Sequence, residues 1–188
     1  DIKDLRLLEL LKETNQNKLS SNLDYINYAA NKYDNVSAED YERYENDRKR
    51  GGWKSANYMI DMGIHKDIPE HIKDVIKSGL RARLKSPEEV IDTAKKSGGK
   101  IFLAHPSYHY RDTPMPMEEL KYWLELGIDG IECFSPYNGN TAQYYVDFSK
   151  KNNLMISGGS DCHGDFIPSR KLGVPNLSLD DLNIRKLL

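Results

Sequence analysis

The sequence has only two cysteines in 188 residues, Cys133 and Cys162, too few and too far apart for a disulfide framework or a zinc-finger ligand set. A reducing, cytoplasmic setting is the expectation that follows. No apolar run is long enough to cross a bilayer. No apolar stretch follows Asp1-Ile2-Lys3-Asp4 in the way a secretory signal requires. Charge of one sign is not in excess either: 27 Lys and Arg stand against 29 Asp and Glu, a formal net charge of -2. A chain so balanced has no bulk attraction for nucleic acid or anionic lipid, so local charge must hold any phosphate ligand. An initiator Met is missing as well, and the expectation is a piece of a longer protein. What remains is 38% hydrophobic and 30% charged, which suits a packed domain with a very polar surface.

Strand patterns are missing before Ser86, where the chain reads as a helical region over residues 1–85. Leu5, Leu7, Leu8, Leu10 and Leu11 predict a short first helix with an apolar face. Asn15 to Asn35, rich in Asn, Ser and Tyr, predicts helix plus loop. Ser37 is a candidate N-cap for a helix running toward Arg50 and stopped by Gly51-Gly52. Trp53, Ala56 and Ile60 open another, ended by Gly63. Pro69 opens a further one, with Ile72, Val75 and Ile76 inward and Gly79 at its end.

From Ser86 to residue 188 the order is helix, strand, helix, strand, helix, strand. Ser86-Pro87-Glu88-Glu89 is a capping box with Pro at the first helical position. Ile101-Phe102-Leu103-Ala104, Gly130-Ile131-Glu132-Cys133-Phe134 and Leu154-Met155-Ile156-Ser157 are short apolar runs of the kind that strands covered on both faces show. Helices at about Met117–Leu126 and Thr141–Lys151 separate them. This alternation predicts an α/β fold with parallel strands and right-handed crossovers.

In such folds chemistry collects beyond the C-terminal strand ends. The first predicted strand runs into His105, and the third into Asp161 and His163. Two imidazoles and a carboxylate suit divalent zinc, manganese or iron. Asp161 and His163, two residues apart, point the same way if the segment is extended. A lone His after a strand is more often structural; the convergence of all three makes a metal site the favoured reading.

Ala104-His105-Pro106 and Gly159-Ser160-Asp161-Cys162-His163 resemble the last two metal-binding motifs of the PHP (polymerase and histidinol phosphatase) superfamily. The Gly130-Ile131-Glu132 strand and the stretch from Ser86 through Gly98-Gly99-Lys100 are similar to that family too. Residues from about Ser37 to Gly79 resemble the helical insertion of one branch, whose members act on nucleotides or short oligonucleotides. The resemblance implies a partial, distorted (βα)7 TIM-like barrel carrying two or three divalent metal ions that hydrolyse phosphate esters. His105, Asp161 and His163 would be ligands. The family pattern begins with a His-x-His strand, and no His-x-His occurs here. The resemblance therefore implies that part of the ligand set comes from a missing N-terminal barrel portion; a barrel without its early strands exposes sheet edges, so the chain is expected to pair with another chain, such as a second copy, or to be marginal alone.

Glu132, His109 and Arg170 are weaker candidates for substrate contact. Glu132 would orient a ligand or hold a hydroxyl; the plain alternative is a strand-end carboxylate taking a backbone N–H. His109 sits in a loop beside Tyr108 and Tyr110, and the plain reading is a surface residue. Arg170 would clamp phosphate, against a solvated basic residue. His65 and His71 are expected to be exposed or capping. Tyr25, Tyr28, Tyr33, Tyr41 and Tyr44 would form a base-stacking surface or, more ordinarily, pack within the helical region. The expected substrate is a nucleotide or another small phosphomonoester. The rival reading is a non-catalytic module that binds a ligand or partner; a third is a lone structural zinc site.

Overall fold

A computed structural model describes residues 1–47, 49–110 and 113–184. Contacts divide the chain into two compact units: residues 1–8, 86–162 and 169–188, and residues 9–85 with 163–168.

The first unit is built on a sheet. Its strands are β1 (Phe102–Leu103), β2 (Gly130–Phe134) and β3 (Met155–Gly158), all parallel, in the order β1-β2-β3. Helices α5 (Pro87–Lys96), α6 (Met117–Glu125) and α7 (Ala142–Lys151) alternate with them. The Ser86 hydroxyl accepts the Glu89 N–H and caps α5, as its spacing predicts. Strand β1 is shorter than the expected four residues. At one end the Ile101 carbonyl turns to the N–H groups of Asp129 and Gly130, and at the other Ala104 is exposed and His105 leaves the extended region. The core joins Ile131 and Cys133 of β2 to Leu120 of α6, Ile91 of α5, and Tyr145, Val146 and Phe148 of α7. Three strands make an open sheet; a closed barrel is not seen among the described residues.

The second unit is helical: α1 (Leu5–Ala30, from residue 9 onward), α2 (Ala38–Arg43), α3 (Lys54–Asp61) and α4 (Ile68–Lys77). Helix α1 runs through the polar stretch expected to break it. Its buried face, Leu10, Tyr25, Ile26 and Ala29, lies mostly in the last turns, and Leu8 and Leu11 are exposed. The expected apolar face near the N-terminus therefore does not decide its length. Helix α2 stops at Arg43 instead of running toward Arg50, because Tyr44 turns extended and its N–H bonds back to Asp40 and Tyr41. Gly52 has a positive φ of 80°, and a Cβ there would enter the Phe166 ring. Tyr25, Tyr41 and Tyr58 are buried, with Tyr28, Tyr33 and Tyr44 packed against them, so the tyrosines build this core.

Helix α4 departs from its expected orientation. Ile76 is 72% exposed; Ile72 and Val75 are half-buried, Val75 against the core as expected, and the buried positions are His71 and Asp74. His65 is buried too, so the expectation of exposed or capping histidines is wrong at both places. The physical reason is that the rings answer each other: their Nδ1 atoms meet at 3.3 Å, and the Asp74 carboxylate stands 3.6 Å from His65 Nε2. No helix among the described residues is long and apolar enough to cross a membrane.

Candidate functional site at the strand ends

His105 and Asp161 lie beyond the ends of β1 and β3, and Glu132 stands within β2 between them, all in the sheet unit. The first and last share an unusual backbone. Among the described residues only three non-glycines have positive φ: His105 at 29°, Asp161 at 46° and Asn153 at 55°. Asn, Asp and His visit this region more often than other side chains, yet each such position costs roughly 1 kcal/mol or more. Such strain persists only where neighbours hold it, and tends to mark functional positions.

At His105 the holder is Glu132, whose Oε2 accepts the His105 N–H at 2.7 Å. Strand β2 delivers that carboxylate through an irregular register: Glu132 pairs with Ser157, but Phe134 already pairs with Gly158. The extra residue, Cys133, bulges the strand and re-aims its end. Gly159 makes room, since a Cβ there would stand 3.2 Å from Glu132 Oε1. Burial pushes the Glu132 carboxyl above its ordinary value; the His105 N–H opposes this and the charge of Asp161 adds to it.

Asp161 is held by two donors on one oxygen. Its Oδ2 accepts the Tyr137 hydroxyl at 3.0 Å and Arg170 Nη1 at 2.5 Å. The Arg170 guanidinium also lies over the Tyr137 ring, 4.9 Å from its centroid. Burial, then the bond to Asp161, pushes the Tyr137 phenol up to about 12, so at neutral pH it remains a donor. The His105 ring packs edge-on against Tyr137 and tilted against Tyr108, at centroid distances of 5.6 and 5.4 Å. His109 is exposed and stacks on Tyr108, 4.8 Å away. The neighbouring Arg111, which the sequence places in the same loop, lies outside the described residues.

A buried layer supports this rim. Asn138 donates to the carbonyls of Glu132 and Cys133 at 2.7 and 3.0 Å, and accepts the Ser107 N–H at 3.2 Å. Ser107 Oγ meets Thr141 Oγ1 and the Tyr145 hydroxyl at 2.7 and 2.8 Å. Sequence reading missed Tyr137 and Asn138 as working parts, although Ser135-Pro136-Tyr137-Asn138 follows a strand directly and that position is itself a signal.

The structure thus brings His105, Glu132, Asp161 and Arg170 into one unit, while His163 opens the 163–168 segment of the other. Among the described residues no group of three or more His, Cys, Asp or Glu is arranged to hold a metal ion. The donor chemistry nonetheless fits a divalent cation: an imidazole follows one strand, and a half-buried carboxylate feels a second one that already binds a cationic side chain.

No protein-family model matches the chain, and no curated protein does. A solved structure does: the crystal structure of a candidate metal-dependent phosphoesterase from Bifidobacterium adolescentis. It is similar with a TM-score of 0.72 at 19% identity over 92% of this chain. The likeness shows a shared fold. The chain spans 63% of the length of that protein.

Proposed function

We propose that the chain takes part in metal-dependent hydrolysis of phosphate esters, as a member of the PHP superfamily and a segment of its barrel. The observation that carries this reading is the pair of strained residues, His105 and Asp161, at the ends of two parallel strands with Glu132 between them. The solved structure of similar fold, a candidate metal-dependent phosphoesterase, supports it. His105 and Asp161 would hold the ion, which is manganese, zinc or iron by donor type. When bound, such an ion neutralises phosphate charge and makes a water molecule more acidic.

The rest belongs to the protein. Glu132 fixes the turn that presents His105, through the backbone N–H. Tyr137 orients Asp161 and stays protonated. Arg170 guards the Asp161 carboxylate and, once that carboxylate turns to a cation, offers a planar fork to phosphate oxygens. Tyr108 and His109 are exposed next to His105 and would contact the body of a small phosphomonoester such as a nucleotide.

The test is manganese-dependent phosphate release from an aryl phosphate by this chain. His105→Ala and Asp161→Ala should each reduce it by at least about 100-fold, the scale expected when a metal site or its immediate support is removed. Release that does not depend on added metal, or that survives both substitutions, would refute the reading. A binding module without catalysis is favoured by one observation, the Arg170–Asp161 ion pair. Under that reading the chain retains phosphorylated ligands with no turnover at any metal concentration.

A further inference from the structure

At the rim of the sheet unit two opposite charges answer each other. Asp161 Oδ2 accepts Arg170 Nη1 at 2.5 Å and the Tyr137 hydroxyl at 3.0 Å, so two donors converge on one oxygen. The side chains of Arg170 and Asp161 are only 16% and 20% exposed, and water screens them less than a pair on open surface. The guanidinium is fixed from a second side, because it lies over the Tyr137 ring, 4.9 Å from the centroid. Tyr137 therefore touches both partners, the acid through its hydroxyl and the base through its face. All three residues belong to the sheet unit.

Each member of this pair is also a group that a phosphomonoester site needs free. A carboxylate oxygen that accepts a guanidinium has less to give a divalent cation. A guanidinium turned to a carboxylate cannot aim the same donors at a phosphate. The closed pair thus weakens both ligands. Whichever arrives first must part Arg170 from Asp161, and the second finds the parted form already made. That is positive coupling, and by linkage it is equal in both directions.

We propose that the Arg170–Asp161 pair is an exchange latch. A divalent cation takes Asp161, a phosphate group takes Arg170, and each binds more tightly in the presence of the other because the pair is broken only once. The inference rests on the metal reading of this site given above, and adds to it a link between the two ligands. A site built this way fills with cation and phosphate together and empties of both together.

The experiment reads binding by the whole chain, not turnover. Mn²⁺ is followed by the EPR signal of the free ion, and phenylphosphonate, which carries no ester to hydrolyse, by calorimetry in metal-free buffer. Removing either partner should help the ligand of the other. Arg170→Met should bind Mn²⁺ alone at least about 5-fold more tightly than the unaltered chain, the upper worth of an exposed ion pair. Asp161→Asn, which keeps an oxygen for the Tyr137 hydroxyl, should bind phenylphosphonate alone more tightly by a similar factor. In the unaltered chain phenylphosphonate should tighten Mn²⁺ binding, and that gain should shrink in Arg170→Met. Lys171→Met removes the same charge from an exposed neighbour, and salt screening should keep its effect on either affinity within about 2-fold. Arg170→Met that binds Mn²⁺ no more tightly than Lys171→Met overturns the latch, and so does Asp161→Asn that binds phenylphosphonate no more tightly than the unaltered chain. Absence of Mn²⁺ binding by every form sinks the metal reading and the latch together, whereas equal Mn²⁺ binding by the unaltered and Arg170→Met chains sinks the latch alone. Should Arg170→Met fail to fold, the Asp161→Asn arm still decides.

Discussion

The two units solve the same problem, how to keep carboxylates and imidazoles inside a small fold, in opposite ways. The helical unit seals its set: His65, His71 and Asp74 are buried, and each answers another. The sheet unit leaves Asp161 and His105 half-buried at a rim, held by strained backbone and by borrowed donors. A sealed network contributes to stability. A half-open one keeps donors that a ligand can recruit. The difference is measurable, because each unit carries one of the two tryptophans, Trp53 in the helical unit and Trp123 in the sheet unit. Single-tryptophan forms, Trp123→Phe and Trp53→Phe, therefore report the two units separately.

The strongest way to break the comparison is Asp74→Ala. Removing the carboxylate leaves the buried Tyr25 hydroxyl without its acceptor, at a cost of about 3 kcal/mol, the upper end for a hydrogen bond to a charged group. The urea midpoint read by Trp53 fluorescence should fall accordingly. A loss under about 1 kcal/mol would mean the network is not the anchor described. Next comes Leu120→Ala, at a fully buried core position of the sheet unit, expected to cost about 3 kcal/mol by the midpoint that Trp123 reports.

Acid comes third, and it acts on the helical unit. His71 titrates near 4 when folded, below its ordinary value, so between about pH 6.5 and 4 the unfolded chain binds the proton first. The stability that neutral His71 retains at pH 7 is therefore lost as pH falls through that window, by up to about 3 kcal/mol. The groups facing the ring are Tyr25, His65 and Asp74, with Lys32 behind Asp74. Of these, Asp74 is held below the usual carboxylate range: burial pushes it up, but the Lys32 and Tyr25 bonds outweigh that, so it stays charged across the window. A His71→Gln form whose Trp53 midpoint falls just as steeply between pH 7 and 4 would contradict this. The smallest effect is Ser86→Ala, which removes only the α5 cap, worth about 1 kcal/mol in a thermal melt of the sheet unit.

Local signals were readable in the sequence. Ser86 caps α5, Gly130–Phe134 is β2 to the residue, and the alternation of helix and strand does yield parallel pairing. These depend on neighbours within a few positions. What was not readable depends on distant ones. His71 looks like a surface residue until Tyr25, Lys32 and Asp74 are folded around it. The inward face of α4 was legible in part: Val75 packs on the core, but Ile76 turns outward and His71 and Asp74, which no helical stripe suggests, are buried. At the rim, the residue types of His105 and Asp161 were legible, but their positive φ angles and the reach of Arg170 to Asp161 were not.

Asn138 spends every polar atom of its side chain on the backbone: two carbonyls in β2 and the Ser107 N–H. It therefore acts as a rivet through two chain segments that otherwise end in loops. Anyone grafting the loop after Phe134 onto a different scaffold would have to carry the 105–107 segment along, because neither keeps its shape without the fastener between them.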